Sequence, residues 1–189
     1  MSKIIDDIRK ELFKNSDEKT RISGERFFKE PVKLYGLKSA ATVTIAKEHF
    51  AKIKGKPKTE IFTLCEELWQ SGFLEEAGIA CIWSYNVRKE YVPGDIILFE
   101  RWISKYVTNW ATCDTFCNHT VGTLIEMYPG EISSLKKWAK MLYLFKLSKV
   151  HRIPSPSGDQ TDRMNPLNGT LSSLEPIPFN MVRRTTHSN

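Results

Sequence analysis

Apolar residues recur at three- and four-residue intervals through most of the first 150 positions, the spacing of amphipathic helices. Ile4, Ile5, Ile8 and Leu12 mark one face of a first helix, with Ser2 as its N-cap. A second helix is expected from Thr20 or Ser23 to about Glu30, before a turn at Tyr35-Gly36-Leu37-Lys38. Ser39 then caps a third helix bearing Val43, Ile45, Ala46, His49 and Phe50, which Gly55-Lys56-Pro57 ends. The fourth spans about Thr59 to Gln70 and the fifth Phe73 to Tyr91, with Ser71-Gly72 between them. Asp95 caps a sixth helix. A seventh starts near Thr112 and stops before Pro129, and an eighth starts near Glu131 and carries Leu135, Trp138, Ala139 and Leu142.

No strand pattern interrupts this series. The helices group as 39–70, 73–107 and 112–150, and each pair takes roughly 30-odd residues, near the period of HEAT and armadillo units. One such pair cannot bury its own apolar face, so the pairs must stack. The predicted fold is all-α, a HEAT-like solenoid of antiparallel helix pairs over residues 1–150. Residues 151–189 break the pattern: they hold five prolines (Pro154, Pro156, Pro166, Pro176 and Pro178) among many Ser, Thr and Asn. Proline at that density stops helices, and too few apolar residues are left to offset ordering entropy, so this stretch reads as a disordered tail.

The 28 Lys/Arg and 22 Asp/Glu leave a net charge of +6. Of these, 24 and 19 fall in residues 1–150, so the helical part alone carries +5. A modest positive excess suits a phosphate backbone but does not single one out. The N-terminus is charged and amphipathic, without the apolar core of a signal peptide, and no apolar run reaches the length of a membrane span. The expected address is the cytoplasm. Cys65, Cys81, Cys113 and Cys117 are expected as free thiols there.

The most informative stretch is Thr108 to Cys117. Trp110 and Asp114 are four apart, so a helix puts them on one face. An aromatic face beside a carboxylate suits a cationic ligand. Spacing alone favours the ordinary alternative, a core tryptophan with Asp114 as a cap or lysine partner. Cys113, Cys117 and His119 lack a fourth partner for zinc, so the cysteines read as small core residues of one helix and no metal is expected. His49 reads as a satisfied structural histidine. Lys47, Lys52, Lys54, Lys56 and Lys58 cluster around the end of the third helix, opposed only by Glu48. They suit phosphate contacts, and equally the cationic, solvated C-terminus of a helix.

Taken in order, Arg26-Phe27-Phe28-Lys29, Tyr35-Gly36-Leu37, Ile45-Ala46-Lys47, Glu67-Leu68-Trp69, Glu75 to Ala80 and Asn109 to Asp114 resemble the DNA alkylation repair family of HEAT-like-repeat DNA glycosylases. The resemblance covers about residues 20–140. It implies a concave DNA-binding surface lined by Trp110, Asp114 and Phe27, and hydrolysis of the N-glycosidic bond of purines alkylated at N3 or N7, without base flipping. It further implies double-stranded DNA as partner, no cofactor, and a monomer.

Three positions depart from the family. Phe27 stands where a tyrosine is usual. No arginine occurs where the family has one, about 35 residues beyond the aspartate; the chain there reads Lys146-Leu147-Ser148-Lys149. A tryptophan from a later repeat has no counterpart, so the chain reads as a truncated member with an altered end. These departures keep open a second expectation, a non-catalytic HEAT-like module that binds DNA or protein.

Overall fold

The computed structural model describes residues 2–136, and within them the chain is helical. Helices α1 (Lys3–Lys14), α2 (Glu18–Glu25), α3 (Ser39–Ala51), α4 (Lys58–Ser71), α5 (Leu74–Asn86) and α6 (Asp95–Tyr106) follow one another. Then α7 (Trp110–Thr115), a π turn (Phe116–Val121) and α8 (Gly122–Met127) form one continuous rod. Residues 132–136 begin a further helix. Among the described residues the only β-type pairing is an isolated bridge between Lys33 and Phe73. The remainder of the predicted eighth helix and the proline-rich segment lie outside the described residues.

The order of packing gives two layers. α1 packs on α3, α3 on α5, and α5 on α7 and the π turn, while α4 packs on α6 behind them. The most extensive helix packing lies between the predicted pairs rather than within them: α4 on α5. Its cause is local. Gly72 adopts φ 73° at the end of α4, so the chain reverses within two residues. Cys65 approaches α5 closely enough for its Sγ to lie 3.6 Å from the Ala80 carbonyl oxygen.

Ile5, Ile8 and Leu12 are fully buried, as the first apolar face predicts. The centre of the core is aromatic. Phe62, Phe99, Trp102, Trp69 and Phe116 pack edge-on or tilted with centroids 5.5–6.3 Å apart. Glu66 accepts from Tyr106 Oη (2.6 Å), Arg101 (3.0 Å) and the Trp102 indole. Burial alone would raise its carboxyl, but these three donors outweigh it and hold it below the usual carboxylate range.

Helix ends differ from the sequence reading by a few residues. Asp17, not Thr20 or Ser23, caps α2, and its carboxylate accepts from Thr20 N at 2.7 Å. α5 ends at Asn86, and a 3-10 turn (Arg88–Glu90) completes the stretch. Asp95 is the first residue of α6 rather than its cap, and its Oδ2 accepts from Val92 N at 2.9 Å.

One long connection, residues 26–38, has no regular structure of its own. It is fastened to the start of α5 by two buried carboxylates. Glu75 accepts from the amides of Tyr35 (3.1 Å), Gly36 (2.9 Å) and Leu37 (3.2 Å). Glu76 accepts from Tyr35 Oη (2.8 Å) and from the Arg9 guanidinium (3.0 Å). Burial first, and then the bond to Glu76, push the Tyr35 phenol upward. Gly36 sits at φ 93°, where a Cβ would lie 2.4 Å from the Asp17 carbonyl oxygen, so only glycine fits.

Candidate nucleic-acid interface

The site begins with a cap. Asn109 is extended, and its side-chain oxygen accepts from Thr112 N at 3.0 Å, so the helix starts at Trp110, two residues before the predicted start. Trp110 therefore lies in the first turn of α7 and projects towards the connection after α2. Phe28 stacks on one face of its indole, with centroids 5.7 Å apart and planes at 25°. The indole Nε1 reaches the Phe27 carbonyl oxygen at 3.4 Å. Trp110 stays 57% exposed and Phe27 72% exposed. Two large aromatic rings thus stand open to solvent at one mouth, and one of them is clamped from behind.

That mouth opens on a groove of about 1050 Å³ between α2, α3, α5 and α7. Its walls include Phe27, Phe28, Val43, Ile82 and Trp110, with Lys19 and Lys38 as its lysines. Along α7 and the π turn, Ala111, Thr115 and His119 follow at helical spacing. His119 faces Tyr85 at 5.6 Å, and the Arg88 guanidinium covers the Tyr85 ring at 4.3 Å.

Asp114 is exposed, one turn beyond Trp110 along the rod. It does not line the groove, and the cap of α7 is Asn109, so the cap alternative for Asp114 fails. The core alternative for Trp110 fails on its exposure.

The five clustered lysines stand elsewhere. None lines the groove. Lys47, Lys52 and Lys54 are exposed on and just after α3. Lys52 and Lys56 border a second, smaller cavity of about 480 Å³ beside Lys3 and Asp7, and Lys56 pairs with Glu60 at 2.6 Å. Lys58 is only 13% exposed: its ammonium binds Asp95 at 2.7 Å and the Glu90 carbonyl at 2.8 Å, tying α4 to the start of α6. Lys58 is thus a structural cation, corrected from the phosphate contact expected of it. His49 is buried and its Nε2 lies 2.7 Å from Glu11, but its Nδ1 has no hydrogen-bond partner, so the fully satisfied histidine expected from the sequence is corrected to a half-satisfied one. The expected core cysteines are corrected: Cys113 is exposed and Cys117 half-buried.

Phe28, Lys19, Lys38, Tyr85 and His119 escaped sequence reasoning. Phe28 had a signal, since it belongs to the Arg26–Lys29 segment that carries the resemblance. The other four come together only through long-range packing.

Residues 8–146 match the model of a family described as DNA alkylation repair enzyme. The chain belongs to this family. The match runs from the middle of α1 through α8, takes in the groove and the Trp110–Asp114 turn, and extends beyond the 20–140 span that motif order alone suggested. For a DNA alkylation repair enzyme the partner is DNA, and an open groove edged by aromatic rings and lysines suits that partner. Neither the curated proteins nor the solved structures contain a match to the chain. No helix among the described residues is long and apolar enough to cross a membrane.

Proposed function

We propose that the chain is a DNA glycosylase that hydrolyses the N-glycosidic bond of N3- or N7-alkylated purines. The observation that carries this reading is Trp110, an indole clamped on one face by Phe28 and open on the other, with the exposed Asp114 carboxylate one turn away. An alkylated purine is cationic and already a good leaving group, so no acid is needed to protonate it. As the bond breaks, positive charge moves to the sugar. Asp114 stabilises that charge and orients the attacking water. The open ring of Trp110 holds the cationic nucleoside. Both rings stand at an open groove rather than in a closed pocket, which supports action on a base left in its stack rather than flipped out.

Release of 7-methylguanine from methylated duplex DNA by the purified chain tests the proposal. Salt-dependent binding with no release would move the reading to a non-catalytic DNA-binding module. One observation favours that second reading: Asp114 does not line the groove that Trp110 opens on.

The charge around the groove makes a separate prediction. Lys19→Ala with Lys38→Ala weakens binding to all duplex sequences alike and lowers the salt slope by about 2, close to 0.9 for each phosphate that is no longer neutralised. Lys54→Ala, on a surface away from the groove, leaves the slope unchanged. Equal slopes for the two variants would place the phosphate backbone away from the groove.

A further inference from the structure

Cys113 and Cys117 are the two thiols outside the buried set, since Cys65 and Cys81 are both buried. Their Sγ atoms lie 3.9 Å apart on the rod that carries Trp110 and Asp114. The π turn begins at Phe116, between them, so the regular α-helical ladder already gives way at this point. Among the described residues no group of three potential metal ligands exists.

We propose that Cys113 and Cys117 form an oxidation site, which a hydroperoxide converts to an intramolecular disulfide spanning Asp114. The exposed Cys113 sulfur attacks the peroxide oxygen. The O–O bond breaks, Cys113 becomes a sulfenic acid, and one water leaves. The Cys117 sulfur then displaces hydroxide from the sulfenic sulfur. Its thiol proton goes to that hydroxide, giving the second water. Two thiols and one hydrogen peroxide give one disulfide and two waters. The roles follow from exposure: Cys113 meets the oxidant, and Cys117 stands behind it as the resolving thiol. Burial first, and then Cys113, push the Cys117 thiol up to about 12, so it is the poorer first nucleophile.

Closure has a mechanical result. A disulfide brings its sulfurs to about 2.05 Å and its Cβ atoms to about 3.5–4.5 Å. Cβ atoms four apart on a helix are about 5–6 Å apart, so the backbone between Cys113 and Cys117 must tighten. Asp114 lies inside the closed loop and Trp110 one turn before it. The oxidised chain therefore loses affinity for DNA and recovers it in dithiothreitol.

The site itself can be read without DNA, so its test stands apart from the glycosylase proposal. The reduced full chain is treated with hydrogen peroxide, the remaining thiols are alkylated, and trypsin is added. Cys113 and Cys117 share the peptide 106–136, and Cys65 and Cys81 share the peptide 59–88. The expected result is loss of two hydrogen atoms from 106–136, reversed by dithiothreitol, with 59–88 alkylated at both cysteines. In Cys117→Ser, dimedone labels Cys113 and the two-hydrogen loss disappears. In Cys113→Ser, at an exposed position that the fold tolerates, Cys117 in 106–136 stays alkylatable after peroxide, and any gain of oxygen on that peptide falls on Met127. Oxidation of 59–88 instead, a cross-link between the two peptides, or Cys113 sulfinic acid beside an alkylatable Cys117 would each overturn the proposal.

Discussion

Asp114→Asn lowers release of 7-methylguanine by roughly a hundred- to a thousandfold, the scale of about 2.7–4 kcal/mol for one electrostatic partner of a developing charge. The amide keeps the size and hydrogen-bonding reach of the carboxylate and removes only its charge. The melting temperature should not move, because Asn109 holds the helix end and Asp114 is exposed. Binding to undamaged duplex should stay level or rise slightly, since a negative charge facing phosphates is gone. Trp110→Ala should cost less in rate and more in affinity, through loss of the ring that holds the nucleoside. Single-turnover release and melting curves, measured on both variants, separate chemistry from folding. An Asp114→Asn chain that releases 7-methylguanine as fast as the unaltered chain would refute the catalytic role.

Glu75→Ala should destabilise the fold by about 3–5 kcal/mol, one of the largest effects of any single side chain here. Its two oxygens accept from three consecutive backbone amides, those of Tyr35, Gly36 and Leu37. Leaving a buried donor without an acceptor costs about 1–3 kcal/mol each, and alanine removes the acceptor of all three at once. Glu75→Gln keeps one oxygen, placed to serve Gly36 and Leu37, but sets an amide NH₂ against the Tyr35 N–H. A smaller loss of about 1–2 kcal/mol is expected for it. Urea unfolding of both variants gives the order. Equal midpoints for Glu75→Ala and the unaltered chain would show that residues 35–37 find other acceptors. DNA binding should fall with stability, because this connection supports Lys38 and leads from Phe28 to α3.

Most of the helices were legible because they carry an apolar face at helical spacing, whereas the pattern sets α2, which buries no side chain, a few residues late. The buried trio Ile5, Ile8 and Leu12 is the plainest case. The four-residue spacing of Trp110 and Asp114 was legible as a local property, but it did not say that Trp110 would line the groove and Asp114 would not. What escaped reading is packing between residues distant in the sequence. Lys58 looked like one more cation at a helix end until Asp95, far along the chain, closed on it. Phe28 and Trp110 meet over a still longer separation, and nothing local to either residue announces the other. The helix packing escaped for a related reason: the sequence pattern puts α4 and α5 in different pairs, yet Gly72 folds them directly together. Cys113 looked like core because its spacing from Cys117 is helical, and helical spacing does not say which side of the helix meets solvent.

The π turn at Phe116–Val121 bears on how this rod can change in length. Each residue of an α-helix turns the chain by about 100°, so deleting one residue from a regular stretch rotates everything beyond it off its face. A π turn closes its hydrogen bonds one residue further along, and so holds one residue more than the α turn it replaces. Removing one of Cys117, Asn118 or His119 can therefore restore an unbroken α ladder while Trp110 at one end and Leu124 at the other keep their sides. The same deletion within α4 would swing Trp69 out of the aromatic core. The rod beside the groove thus carries its own slack, and a chain of this kind can lose a residue there without losing the clamp on its tryptophan.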